Sequence, residues 1–396
     1  MIDYLSEAQA LFDYTQTMRR DFHTHPELGY HEDRTAEIVA GELASLGMEV
    51  KSGIAKTGVV ALLKGAKPGP IILLRFDMDA LPITEETHAA YASQNPGVMH
   101  ACGHDGHIAA GLTVARMLHE HREQLEGTVK FVFQPAEEGL CGEDKGGAEM
   151  MVSEGVLENP KPDIALALHV WNDKPIGWLG IAAGPVMAGA EQFKVHVRGK
   201  GGHGAMPHQV VDPVVAAAQI VSALQSIVAR NVSPLQTAVV SVTMIHGGEA
   251  FNVIPPEVEL QGTIRTFELE VREKVLQRFE AIVHGVAASL GCQAEIEMKR
   301  LAPALINDSE VTSRVQALAG RLLPDCSVDT AGYLTMGSED MAFMLEQVGG
   351  CYIFIGSANK EKGLDAGHHQ PRFDFDEQAL PRAVALMASA ATEFLT

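Results

Sequence analysis

The chain has few basic residues for its length. Lysine and arginine number 30 among 396 residues, against 51 aspartates and glutamates, so the formal net charge at pH 7 is −21. This imbalance argues against nucleic acid or an anionic membrane surface as a partner. The chain lacks a run of about 18 uninterrupted apolar residues, and its first residues carry acids where a signal peptide needs a basic and then an apolar stretch. We therefore expect neither a membrane span nor a signal peptide.

Cysteine is scarce, and internal repeats and low-complexity segments are absent. The cysteines are odd in number and widely spaced, which is typical of a reducing compartment and predicts a cytoplasmic protein. They are Cys102, Cys141, Cys292, Cys326 and Cys351. Cys141 receives no predicted role. The length predicts two domains, or one large domain with an insertion, and a hydrophobic fraction of 46% is ordinary for a soluble protein with a sizeable core.

The most informative stretch is MHACGHDGH, residues 99–107. Cys102, His104 and His107 are the residue types that first-row divalent metal ions select as ligands. Periodic apolar residues behind the motif predict a helix over 108–121. The alternative is a glycine-rich turn whose histidines only cap that helix, because short Cys/His matches are common.

Polar residues of ligand type follow three apolar strand-like runs. Asp77 and Asp79 come after IILLRF, Glu137 and Glu138 after VKFVF, and His169 after IALAL. In open α/β sheets the ligand crevice lies beyond the carboxyl ends of the strands, so these residues are candidates for one site. Taken singly, Asp77 could equally be a turn former, whereas the two glutamates would more often form a solvated acidic turn and the histidine would more often be structural. As the third such case, His169 is more often a ligand than not.

The adjacent glutamates point to a positively charged partner. Two carboxylates directly after a buried strand are costly to hold unless a partner compensates them. A metal cation is the natural partner for one of them. The other glutamate can then serve as general base toward water.

Alternating polarity and helical periodicity from Phe193 to Lys299 predict the order β-α-β-β-α-β. This is the split βαβ, ferredoxin-like arrangement. The predicted fold class is therefore α/β, with a larger metal-binding catalytic domain that contains a mixed sheet flanked by helices, and a smaller inserted α+β domain. The predicted boundaries are 1–185 and 300–396 for the larger domain and 186–299 for the insertion.

Three polar residues of the predicted insertion are candidates for binding substrate. His203 lies in a glycine-rich turn, Asn252 in FNVIPP, and Arg265 on the polar face of a strand. An arginine fork suits a substrate carboxylate, and an amide and an imidazole suit a carbonyl oxygen or oxyanion. The alternative for Arg265 is a surface ion pair with Glu259.

Ten motifs follow one another in a fixed order from about residue 19 to 382. They are RRDFHTHPELGY, RFDMDALP, MHACGHDGH, FQPAEEG, ALHVW, GGHGAMPH, FNVIPP, GTIRTF, GSEDMAFM and HHQPRFDFDE. Together they resemble the M20 metallopeptidase superfamily, and within it the branch of N-acyl-amino-acid amidohydrolases, which includes hippurate hydrolase, aminoacylase-like enzymes and auxin-conjugate hydrolases.

The resemblance implies a pair of divalent metal ions, manganese or zinc by analogy, while the donor types would also accept cobalt or nickel. The implied ligands, with Cys102 as the bridging one, are Cys102, His104, Glu138, His169 and His369. The resemblance implies that Glu137 is the general base and that Asp79 orients the ligands. It implies that Asp77 is not a ligand, and it assigns no role to His368.

The implied reaction is metal-dependent hydrolysis of the amide bond of an N-acyl-amino acid, such as an N-acetyl or N-benzoyl conjugate, by metal-activated water. The insertion would be a lid and dimerisation domain, which predicts a homodimer or a higher oligomer. In it His203 would stabilise the oxyanion, in its own or in the partner subunit's site, while Asn252 and Arg265 hold the substrate.

Three alternatives remain at this point. The same fold could cut peptides as a dipeptidase or aminopeptidase, Cys102 could be the nucleophile of a cysteine hydrolase, or the chain could bind metal without catalysis. The sequence does not identify the acyl group, the amino acid or the metal.

Overall fold

The computed structural model describes residues 2–139 and 142–395, so Cys141 lies outside the described residues. The strands are β1 (Glu49–Ile54), β2 (Gly58–Lys64), β3 (Lys67–Asp77), β4 (Glu126–Gln134), β5 (Ile164–Pro175), β6 (Trp178–Gly180), β7 (Gly184–Met187), β8 (Gly189–Arg198), β9 (Gly202–His203), β10 (Ala238–His246), β11 (Val253–Ile254), β12 (Glu257–Thr266), β13 (Gln293–Ala302), β14 (Leu305–Asn307), β15 (Ser327–Asp329) and β16 (Gly350–Ala358). The α-helices are α1 (Tyr4–Ala10), α2 (Phe12–Thr24), α3 (Asp33–Ser45), α4 (His104–Glu120), α5 (Gly147–Ser153), α6 (Pro213–Ser226), α7 (Leu269–Ser289), α8 (Ser309–Leu322), α9 (Ala342–Leu345) and α10 (Leu380–Leu395).

The chain forms two compact units. The larger unit comprises the chain up to Val186, the segment Ile306–Tyr333, and the chain from Asp340 onward. The smaller unit comprises Met187–Leu305 and Leu334–Glu339. The assignment of these units as a catalytic domain and a lid domain remains a prediction.

The larger unit is built on a mixed sheet. Among the described residues it has eight strands in the order β1-β2-β4-β3-β5-β16-β6-β15. Strand β3 is parallel to β4 and β5, and β5 is parallel to β16, while β1, β2 and β4 pair antiparallel. Helices α4 and α10 pack against β3. The central strands are buried along most of their length, as expected for strands covered on both faces.

Helix α4 is longer at its start than the apolar periodicity predicts. It begins at His104 instead of residue 108, so His104 and His107 lie in its first turn. The apolar periodicity did not predict this first turn, because its residues are polar and the periodic pattern starts only after them. The consequence is that the motif lies partly in a rigid helix.

The smaller unit has the predicted ferredoxin-like topology. Its main sheet has the order β10-β12-β8-β13 with antiparallel neighbours, and helices α6 and α7 pack on it. Phe193, Val195 and Val197 of β8 face the core of this unit, as their alternation predicts. Asp212 caps α6 by accepting from the main-chain N–H groups of Val214 and Val215. The predicted fold class is confirmed.

One helical segment among the described residues, Pro213–Asn231, is long and apolar enough to cross a membrane by length and composition alone. It consists of α6 and a following π-helical turn. Its buried side chains, among them Ala216, Ile220 and Leu224, belong to the core of the smaller unit. We therefore describe it as a packed helix of that unit.

Candidate functional site

The candidate site lies at the carboxyl ends of parallel strands in the larger unit. Strand β3 ends at Asp77 and β4 at Gln134, and the two are in register there. Because parallel strands end at the same edge, the residues that follow them lie close together. His169 differs from its prediction, since it lies inside β5. The pairing of β5 with β3 ends at Ala167, whereas its pairing with β16 continues past His169.

A left-handed glycine positions Cys102 and His104. Gly103 has φ +94° and precedes the first residue of α4. A Cβ atom at this position would lie 2.4 Å from Cγ2 of Val170. Glycine is therefore required both by the backbone conformation and by the close approach of β5.

The five predicted ligands converge. Three groups of side chains each have one donor atom per residue within 4.8 Å of the others, and two of these groups share Cys102. The groups are Cys102–His104–His169, Cys102–Glu138–His369 and His104–Glu137–Glu138. Sγ of Cys102 lies 3.4 Å from Nε2 of His169, and Nε2 of His369 lies 3.1 Å from Oε1 of Glu138.

The histidine rings turn suitable atoms toward this cluster. Nδ1 of His104 donates to the carbonyl oxygen of Asp79 at 2.9 Å, and Nδ1 of His169 donates to that of Val170 at 2.5 Å. Each ring therefore leaves Nε2 as the nitrogen that can bind a cation. Nε2 of His104 is buried and has no hydrogen-bond partner among residues 2–139 and 142–395. Such an orphaned atom beside a thiol, a second imidazole and carboxylates fits a divalent cation.

The electrostatics of Cys102 also fit a cation. Burial raises the pKa of this thiol well above its ordinary value, and the charges of Glu138, Glu137 and Asp77 raise it further. A thiolate here needs a positive partner, and metal binding releases the proton of a coordinating thiol. Because these carboxylates oppose a thiolate, they also disfavour a nucleophilic cysteine.

Asp77 and His107 are hydrogen-bonded to each other next to the cluster. Oδ2 of Asp77 accepts from Nη1 of Arg75 at 2.5 Å, and its Oδ1 accepts from Nδ1 of His107 at 2.6 Å. Nε2 of His107 accepts from the main-chain N–H of Val170 at 2.9 Å. Both nitrogens of His107 are thus engaged, although its residue type and spacing are those of a ligand.

Asp79 connects two of the predicted ligands. Its Oδ1 lies 3.2 Å from Nδ1 of His104, and its Oδ2 accepts from the main-chain N–H of Glu138 at 3.0 Å. Burial opposes protonation of His104, but Asp77 and Asp79 outweigh it and raise its pKa to about 10. In the absence of a cation, the His104 ring therefore carries a second proton and is positively charged at neutral pH.

Sequence reasoning missed Glu32, which supports the turn that carries the two glutamates. Its fully buried carboxylate accepts from the main-chain N–H of Ala136 at 2.9 Å and from the Thr57 hydroxyl at 2.5 Å. Ala136 has φ +47°, a strained value for a residue with a Cβ atom. Burial, with a contribution from Asp79, raises the pKa of Glu32 to about 7. The signal in the sequence was only its place two residues after the motif RRDFHTHPELGY.

The three predicted substrate-binding residues belong to the smaller unit. His203 on β9 is exposed, pairs with Val253 on β11, and lies beside Asn252, whose carbonyl accepts from Gly204 N–H at 2.8 Å. Arg265 on β12 is half-buried and donates to Oγ1 of Thr263 and to the carbonyl of Ile264. The alternative pairing of Arg265 with Glu259 does not occur.

Comparison with known proteins agrees with a metal-binding site. Residues 73–393 match the family described as Peptidase family M20/M25/M40. The chain is 39% identical to an N-acetylcysteine deacetylase of Bacillus subtilis (94% of this chain, 95% of the relative) and 38% identical to the IAA-amino acid hydrolase ILR1-like 4 of Arabidopsis thaliana (99% and 88%). The crystal structure of the Bacillus subtilis YXEP protein, titled a dinuclear metal-binding peptidase from the M20 family, matches with TM-score 0.84 and 35% identity over 98% of this chain and 99% of that one.

Proposed function

Because the chain belongs to peptidase family M20/M25/M40 and is a metal-dependent hydrolase of amide bonds, we propose that it cleaves N-acyl-amino acids to a carboxylic acid and a free amino acid. The observation that carries this proposal is the convergence of five donor side chains, two groups of which share Cys102, beside Glu137. Relatives that act on an N-acetyl-amino acid and on an amino-acid conjugate support the substrate class.

Two divalent ions would be held by the five donors, with Cys102 between them. His104 and His169 share one donor group with Cys102, and Glu138 and His369 share the other. Manganese and zinc are the proposed ions, and cobalt or nickel would suit the same thiolate, imidazole and carboxylate donors. When bound, such ions supply Lewis acidity, which polarises an amide carbonyl and makes water nucleophilic near neutral pH.

Glu137 acts as the general base. It follows the strained Ala136 and shares a donor group with His104 and Glu138, so its carboxylate faces the cluster without being needed as a ligand. Glu137 accepts a proton from the water that attacks the carbonyl carbon. It then delivers this proton to the nitrogen of the leaving amine as the C–N bond breaks.

Residues of the smaller unit bind the polar groups of the substrate. Arg265 has no ion pair among the described residues. Its guanidinium is therefore available to the carboxylate on the amino-acid part of the substrate. Asn252 holds the substrate, and His203 stabilises the negative charge on the carbonyl oxygen, in its own subunit's site or in its partner's. Removal of one such donor costs on the order of 10²–10³ in turnover.

The decisive experiment combines a substrate panel with metal replacement. The metal-stripped enzyme is assayed with N-acetyl- and N-benzoyl-amino acids and with free-amine dipeptides, before and after each ion is added back. We expect hydrolysis of the acylated substrates only after an ion is added. Preference for the dipeptides would instead support the dipeptidase or aminopeptidase alternative.

Glu137 and Glu138 provide a matched pair of variants. Glu137→Gln and Glu137→Ala should abolish hydrolysis and retain the metal, whereas Glu138→Gln should lower the metal content. Turnover of a Glu137 variant within a few-fold of wild type would refute the proposed base. Activity that survives a strong chelator but is lost on alkylation would favour a cysteine hydrolase.

We further propose a homodimer formed through the smaller unit. Its two edge strands differ: on β13 the exposed apolar residues alternate with the exposed charges Glu295, Glu297 and Lys299, whereas β10 exposes Met244 and Ile245 and contains no acid, lysine or arginine. Charged edges resist strand pairing and apolar edges permit it, so β10 is the edge suited to a second copy. Ile245→Glu should yield monomers in light scattering, and Met298→Glu on β13 should leave the assembly unchanged.

A cytoplasmic location is also part of the proposal. The four described cysteines, Cys102, Cys292, Cys326 and Cys351, are all free thiols, which suits a reducing compartment.

A further inference from the structure

His368 is a half-buried polar residue to which neither the sequence nor the proposed mechanism gives a role. Its ring lies between two aromatic rings, with centroids 4.9 Å from that of Trp171 and 4.9 Å from that of Phe373, each at an interplanar angle of 35°. His169 contacts it edge-on at 5.2 Å. A ring held on both faces and one edge has a defined orientation, so its two nitrogens have defined partners.

The partner of Nε2 determines where the proton of this ring resides. The main-chain N–H of Asn172 donates to Nε2 at 3.1 Å. A ring nitrogen that accepts a hydrogen bond carries no proton, so the neutral ring carries its proton on Nδ1. Nδ1 lies 3.8 Å from Sγ of Cys102, within hydrogen-bonding reach of sulfur. The main-chain carbonyl of Cys102 is a second acceptor for this ring, so the Nδ1 proton is shared between the carbonyl and the sulfur of Cys102.

His369, the next residue, points elsewhere. It has φ +62°, and its main-chain N–H donates to the carbonyl of Ala101 at 2.8 Å. The left-handed conformation turns its ring away from that of His368, and its Nε2 lies 3.1 Å from Oε1 of Glu138. Two adjacent histidines therefore reach the same cluster from different sides and with different nitrogens.

We propose that His368 is a positioning residue that donates a hydrogen bond from Nδ1 to the sulfur of Cys102, and that it is not a metal ligand. The inference rests on the proposed metal centre, in which Cys102 is a thiolate. A hydrogen bond to a thiolate withdraws electron density from sulfur and fixes its orientation. His368 thereby limits how much charge the shared sulfur gives to the ions and preserves their Lewis acidity.

Cobalt(II) tests this inference, because a thiolate bound to cobalt absorbs in the near ultraviolet by charge transfer from sulfur to metal. Metal is removed from wild type and from His368→Phe, His368→Asn, His369→Phe and Cys102→Ala, and each protein is reloaded with cobalt(II). Cobalt content and the absorption spectrum are then measured. Phenylalanine keeps the stacking on Trp171 and Phe373, and asparagine places an amide N–H near the position of Nδ1.

We expect His368→Phe to retain two cobalt ions and to shift the sulfur band to longer wavelength, because loss of the donor raises the energy of the sulfur electrons. His368→Asn should restore the wild-type wavelength, and His369→Phe should lose an ion. A band in His368→Phe at the wild-type wavelength overturns the inference and leaves the metal centre intact. Loss of an ion from His368→Phe, as from His369→Phe, also overturns it, because His368 would then be a ligand.

Failure of the underlying metal centre gives a different result. A wild-type protein that takes up no cobalt, or whose spectrum is unchanged in Cys102→Ala, would refute the bridging thiolate itself. The inference about His368 would then fall together with the proposed function.

Discussion

Oδ1 of Asp79 lies 3.2 Å from Nδ1 of His104, so a residue two positions beyond the end of β3 sets the orientation of the first ring of α4. The other oxygen of Asp79 accepts from the main-chain N–H of Glu138 at 3.0 Å. Both neighbours of this carboxylate are hydrogen-bond donors. Asp79 thus links the His104 ring to the main chain at Glu138, two groups that lie in distant segments of the sequence.

This arrangement predicts the effect of Asp79→Asn. An asparagine has only one oxygen, so it can accept from His104 or from Glu138 but not from both. We expect metal affinity to fall about 10–100-fold, the usual cost of losing a hydrogen bond that orients a ligand. Competition with a chromogenic chelator measures this, and wild-type affinity in the variant would contradict the role of Asp79.

Adjacent arginines on α2 should differ sharply in their contribution to stability. Arg19 is fully buried and pairs with Asp105 at 2.7 Å, Asp374 at 2.6 Å and Glu377 at 3.1 Å, whereas Arg20 is 41% exposed and pairs with Glu377. Arg19→Met removes a buried cation that three carboxylates share, leaves Asp374 without an ion pair among the described residues, and should cost about 3–5 kcal/mol. Arg20→Met should cost no more than about 1 kcal/mol.

Urea unfolding of the two variants provides the comparison. Because Asp105 follows His104 and Asp374 lies in the C-terminal motif, Arg19→Met should also weaken metal binding. Equal shifts of the unfolding midpoint for Arg19→Met and Arg20→Met would show that burial of the Arg19 network contributes nothing beyond a surface ion pair.

His23 should make stability depend on pH. Burial lowers the pKa of His23, but Asp105 and Glu85 outweigh burial and raise it to about 9, from an ordinary value of 6.5. The folded state therefore holds this proton more tightly than the unfolded state. The stabilisation is fully present below pH 6.5 and is lost as pH rises through about 9, with a total on the order of 3 kcal/mol.

The measurement compares urea midpoints of wild type and His23→Gln from pH 6 to 9.5. The advantage of wild type should shrink steadily across this range, because glutamine does not titrate. His284→Gln, at an exposed position of the smaller unit, controls for the loss of a histidine as such. A constant difference between wild type and His23→Gln would refute the raised pKa.

Glu32 should affect catalysis through the turn at Ala136. Glu32→Ala leaves the buried N–H of Ala136 without its acceptor, which should cost about 1–3 kcal/mol and let the turn that carries Glu137 relax. Glu32→Gln keeps an oxygen for that N–H and should therefore lose less stability and less turnover. Turnover number and urea midpoint are measured together. Equal losses in both variants would indicate that the charge of Glu32, and not its hydrogen bond, is what matters.

Much of the fold was predictable because its signals are local. The alternation of Phe193, Val195 and Val197 depends on a few neighbouring residues, and all three side chains lie in the core of the smaller unit. The start of α4 was misplaced because its first turn is polar. His169 lies inside β5 because the pairing of β5 with β16 continues after its pairing with β3 has ended. The residues of β5 alone do not predict how far each neighbouring strand extends.

The sequence by itself determined the chemistry of the donors and their order along the chain, since residue type and strand pattern are properties of short segments. Only the tertiary structure decided what each histidine does. His107 is engaged by the N–H of Val170, 63 residues away, and His368 by that of Asn172, 196 residues before it. The role of an imidazole depends on which of its nitrogens carries the proton, and here that is set by main-chain groups that only folding brings into contact.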